Sequence, residues 1–123
     1  MIQDRSIVVV ADNTGAKIGR VFKVLGASKK RYAQIGELVV ISVQKADPRK
    51  QSKKKDVAHA VVVRQTRPFR RQDGSYIRFD ENAVVLVDKL KGEPLGNRVF
   101  GPIPRELAER GFQSVASLAP EII

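Results

Sequence analysis

Val57-Ala58-His59-Ala60-Val61-Val62-Val63, nine residues, Asp73-Gly74, eight residues, then Ala83-Val84-Val85-Leu86-Val87: this stretch decides the fold. Its two outer runs are β-branched and of strand length, shorter than a buried helix would need. Asp73-Gly74 between them is the strongest short-range hairpin signal, because both central positions of a type I′ turn take positive φ. It predicts a hairpin pairing Arg64–Gln72 with Ser75–Phe79.

Three more runs of the same kind lie upstream. Ile7–Ala11 ends at Asp12-Asn13-Thr14-Gly15, four turn formers in a row. Arg20–Leu25 stops at Gly26, and Leu38–Val43 follows Gly36. Short strands joined by turns predict a small closed barrel or a sandwich. The last quarter differs. Pro104–Arg110 has good helix formers, a proline at the first helical position and Gly111 just past the end. Phe112, Val115, Ala116 and Ala119 recur at helical spacing up to Pro120. Both segments are too short to be helical alone, so they are expected to pack on the β part.

The chain's 123 residues suit one domain. With 42% hydrophobic residues it can build a core. No apolar run approaches the roughly 18 residues of a membrane span, and the first residues do not form a signal peptide. No cysteine occurs, which excludes disulfides, thiolate zinc sites and thiol catalysis.

Charge is the strongest functional signal. The net charge is +10, and it is concentrated. Between Lys17 and Arg71 stand sixteen Lys/Arg and three acids, a balance of +13; the remainder is −3. The cations cluster in connections: Lys29, Lys30 and Arg31 beside Tyr32; Arg49, Lys50, Lys53, Lys54 and Lys55; and Arg64, Arg67, Arg70 and Arg71 on the hairpin. Any one charged loop can simply be solvated. Three of one sign repel each other unless a polyanion neutralises them. Nucleic acid is the expected partner. Among the interleaved aromatics, Tyr32 and Tyr76 are candidates to stack on bases or riboses, as is Phe69, which fits a cross-strand packing partner equally.

Catalytic chemistry is not expected. His59, the only histidine, alternates with alanines in a strand. Asp80-Glu81 are adjacent strand residues pointing to opposite faces, a poor metal site. No metal or cofactor is expected.

From Ala60 to Leu86 the pattern becomes specific: Ala60-Val61-Val62-Val63, nine residues, Asp73-Gly74, four residues, Phe79-Asp80-Glu81-Asn82-Ala83-Val84-Val85-Leu86. It resembles the signature of the large-subunit ribosomal protein L-fourteen family, bacterial or organellar type. Met1-Ile2-Gln3, Ala11–Ala16, Val24-Leu25-Gly26, Arg31-Tyr32-Ala33, Ile77-Arg78-Phe79-Asp80, Arg98–Pro102, Arg105-Glu106-Leu107 and Ser117–Glu121 resemble family blocks in order. The resemblance implies a mainly β fold: a small closed five-stranded β-barrel with a protruding β-ribbon and a short C-terminal helical part. The chain would be one domain, with residues 1–96 forming barrel and ribbon and residues 97–123 the C-terminal loop and helices. It also implies a structural role in the large subunit, with large-subunit ribosomal RNA bound and Arg78 added to its contacts. Small-subunit ribosomal RNA at an intersubunit bridge, the neighbouring ribosomal protein L-nineteen and a ribosome-silencing factor are the implied partners, in the cytoplasm or an organelle's matrix or stroma. Arg98, Phe100 and Arg105 are the expected protein contacts. Asn97 and Ser114 stand where relatives often have threonine and lysine. The alternative is a free-standing RNA-binding barrel, such as an RNA chaperone or translation factor.

Overall fold

Strands form where β-branched side chains recur, and the computed structural model bears this out over the residues it describes, 2–3, 5–26, 31–47, 57–88 and 92–123. In chain order the strands are β1 (Ile2–Gln3), β2 (Ile7–Val10), β3 (Ala16–Val24), β4 (Tyr32–Ala33), β5 (Leu38–Ala46), β6 (Val57–Arg64), β7 (Phe69–Arg70), β8 (Tyr76–Ile77) and β9 (Ala83–Val87). β10 (Pro102–Ile103), helices α1 (Glu106–Glu109) and α2 (Gln113–Ser117), and β11 (Glu121–Ile122) follow.

β2, β3, β5, β6 and β9 close, in that order, into a barrel. All neighbours are antiparallel except β2 and β9, whose parallel pairing of Val9 with Ala83 and Val10 with Val84 completes the ring. Alternation sets the faces: Val39, Ile41 and Val43 of β5 point inward and are fully buried, whereas Ser42 and Gln44 point out. β9 is buried on both faces, which explains its unbroken apolar run. The C-terminal segment supplies the second cover. Leu95 N–H donates to Leu86 O, and Phe100 N–H to Ala11 O. Ile103, Leu107 and Val115 complete this layer, each such burial contributing about 1.5–3 kcal/mol.

The ribbon departs from the sequence expectation. Its ladder is two pairs long, Phe69 with Ile77 and Arg70 with Tyr76. Arg64 belongs to β6 instead, Pro68 has no N–H to donate, and the ribbon's root is held by Phe79 N–H donating to Gln65 O. The turn is not type I′. Gly74 N–H donates to Arg71 O and Arg71 N–H to Ser75 O. This is a three-residue loop in which only Gly74, at φ +90, needs positive φ. Asp73 stays in the ordinary region and accepts from the Ser75 N–H and hydroxyl.

The helices are also shorter than expected: α1 begins two residues after Pro104 and α2 stops at Ser117. Among the described residues no helix is long and apolar enough to cross a membrane.

Candidate nucleic-acid interface

The ribbon sorts its side chains by register. Phe69 and Ile77 face each other inward, and Phe69 is buried. Its place is therefore in packing. Arg70 and Tyr76, the next pair, face outward and both are exposed. Arg67 and Arg78 are exposed at the root. A planar aromatic beside three guanidinium groups offers stacking together with phosphate contacts.

Two expected RNA contacts are turned inward. Arg64 is buried; its Nη1 donates to Phe100 O at 3.0 Å and Pro102 O at 3.2 Å, and Nη2 lies 3.3 Å from Glu81. Burial lowers its pKa and Glu81 opposes that shift. Gly101 makes room for it: a Cβ there would lie 2.2 Å from Arg64 Nη1. Arg71 reaches to α1, with Nε 3.0 Å from Glu106 Oε1, while Nη2 donates to the main-chain oxygen of Ile123 at 2.6 Å.

Arg31 and Tyr32 are exposed on and beside β4, where Tyr32 pairs with Gln3 of β1. Lys29, Lys30, Arg49, Lys50, Lys53, Lys54 and Lys55 lie outside the described residues. The barrel wall holds cations that the loop-centred reading missed. Lys17, Arg20 and Lys23 of β3 and Lys45 of β5 are exposed. β2, β3, β5 and β6 contain no acidic residue, a signal present in the sequence. Register carries one outward row across all four strands, Ile7–Arg20–Ser42–Val57.

The three expected protein contacts separate into two places. Arg98 lies over the Phe100 ring, 5.1 Å from its centroid, and both are exposed. Asn97 sets the base of this pair: its N–H donates to Asn13 Oδ1 at 3.0 Å, and their side chains are hydrogen-bonded to each other. Arg105 sits elsewhere, 4.0 Å from Asp73 in a cleft of about 430 Å³ between the ribbon tip and α1. The Ser75 hydroxyl, then its N–H, hold the Asp73 carboxyl below the usual range, with Arg105 and Arg71 adding less.

Asp12 is a buried acid. Its carboxylate accepts from the Thr14 hydroxyl at 2.7 Å, Thr14 N–H and Leu86 N–H at 3.0 Å. Burial nevertheless pushes its pKa up, against those hydrogen bonds. It ties the β2–β3 turn to β9. Among the described residues no group of three His, Cys, Asp or Glu is placed to hold a metal ion.

A family model described as ribosomal protein L14p/L23e matches residues 1–123.

Proposed function

Because the chain belongs to the ribosomal protein L14p/L23e family, and so is a large-subunit ribosomal protein of a structural rather than catalytic kind, we propose that it binds large-subunit ribosomal RNA and helps form the subunit interface. The observation that carries this reading is the outward face of the ribbon, where Arg70 pairs with Tyr76 between exposed Arg67 and Arg78. In sequence, Lys29, Lys30 and Arg31 beside Tyr32, and Arg49, Lys50, Lys53, Lys54 and Lys55, add to the positive charge, and β2, β3, β5 and β6 carry no acidic residue to offset it. Arg98 and Phe100 offer a guanidinium stacked on an aromatic, the residue types that anchor protein contacts. They are assigned here to a protein neighbour such as ribosomal protein L-nineteen or a silencing factor. Small-subunit RNA at an intersubunit bridge belongs to the same proposal.

The test is binding of purified large-subunit ribosomal RNA across a salt series. Phosphate contacts release counterions, so log affinity should fall against log salt with a slope of about −0.7 to −0.9 per contact. The protein should also co-sediment with large subunits at low salt. A salt-independent affinity, or failure to co-sediment at low salt, would overturn the reading.

A further inference from the structure

The ribbon is too short to hold its own pose. A two-stranded ladder of two pairs is not stable in isolation. Its root is secured by Phe69 in the core and by Thr66 N–H donating to Asn82 Oδ1. The tip needs a separate attachment. Among the described residues, Arg71 alone ties it to the helical part through largely buried polar groups. Its side chain is 12% exposed and that of Glu106 is 13%. The nearby Arg105–Asp73 contact, at 4.0 Å and with both side chains more than half exposed, adds little.

We propose that Arg71 and Glu106 are positioning residues: their ion pair, with the Ile123 main-chain oxygen, latches the ribbon tip to α1 and sets the angle at which Arg67, Arg70 and Tyr76 meet RNA. This rests on the ribbon's RNA-binding role proposed above. The two neighbouring arginines thus divide the work. Arg70 faces out, and Arg71 spends its charge inside the molecule. A surface held in its binding pose loses less freedom on association, so the latch contributes affinity without touching RNA. The C-terminal segment that carries Arg98 and Phe100 is thereby connected to the ribbon as well.

Glu106→Gln separates this reading from simple electrostatics. The substitution removes a negative charge and frees Arg71, so a purely electrostatic interface would bind RNA more tightly. The latch requires the opposite. With the full-length protein and purified large-subunit ribosomal RNA, Glu106→Gln should weaken binding by about five- to tenfold while the salt slope stays unchanged. Arg71→Gln should behave alike, and the double variant should be no worse than the poorer single, as expected for one shared interaction. Hydrogen exchange on the free variants should speed up at the Arg71 and Gly74 amides and stay unchanged at Val61 and Val85. Binding of Glu106→Gln equal to or tighter than the parent, or a loss of protection that spreads through the barrel, would overturn the latch. Arg70→Gln reports on the underlying role, since it should lower the slope's magnitude by about 0.7–0.9. An unchanged slope there would instead remove the ribbon from the RNA interface.

Discussion

Asp12 shows how a single residue can be both costly and structural. Its carboxylate is the partner of the Leu86 N–H inside the barrel wall and of the Thr14 hydroxyl and N–H in the turn. Asp12→Ala leaves buried donors unpaired and should cost about 1–3 kcal/mol in denaturant unfolding. The charge itself opposes folding, because burial raises the Asp12 pKa above its ordinary value. In the window between the unfolded and the raised folded pKa the native state binds more protons than the unfolded chain. The stability associated with this group is therefore fully present below the ordinary aspartate value and is lost as pH rises through the folded one. Asp12→Asn removes that dependence. The unfolding free energy of the parent minus that of Asp12→Asn should fall as pH is raised from about 3 to 7, and a difference that rises over the same range would contradict the assignment.

At the scale of elements, the ribbon turn gives the sharpest case. Gly74 sits at φ +90 with open space where a Cβ would stand, so Gly74→Ala tests conformation without a clash. It should weaken the tip by roughly 1–2 kcal/mol, read as faster hydrogen exchange at Arg71, whose N–H donates to Ser75. The existence of this hairpin was legible from Asp73-Gly74, but its turn type was not. Loop length follows from which residues face the core, and burial of Phe69 opposite Ile77 places Arg71 and Ser75 as the last pair. The barrel strands were legible because β-branched runs report burial directly; β9 coincides with Ala83–Val87. The pairings of β1 with β4 and β10 with β11 were not, since two residues carry no period and only tertiary contact brings them together. The same limit applies to the site. Charge in sequence does not reveal direction: Arg64 and Arg70 look alike in a basic run, yet one lies under Gly101 and the other faces solvent.

The whole molecule separates charge by region along the chain. Residues between Lys17 and Arg71 sum to +13 and the remainder to −3. The first region carries the cations of the β3 wall and of the ribbon; the second carries the Arg98–Phe100 pair on a segment fixed through Asn97 and Asn13. Stacking of Arg98 on Phe100 is worth about 0.5–1 kcal/mol at an exposed site, too little to shape the barrel but enough to present a formed surface to a partner. RNA affinity and protein docking should then be separable by mutation. Replacing Lys53, Lys54 and Lys55 together with alanine should reduce the magnitude of the log–log salt slope for ribosomal RNA by up to about 2–3 and leave protein partners bound. Arg98→Ala should leave both slope and affinity for RNA unchanged and weaken a protein neighbour in pull-down from disassembled subunits. The geometry gives the reason. Truncating Arg98 uncovers Phe100 without disturbing the Phe100 N–H to Ala11 O bond, so the barrel and the ribbon keep their shape. If Arg98→Ala abolished RNA binding and spared every protein contact, the two regions would not divide the work in this way.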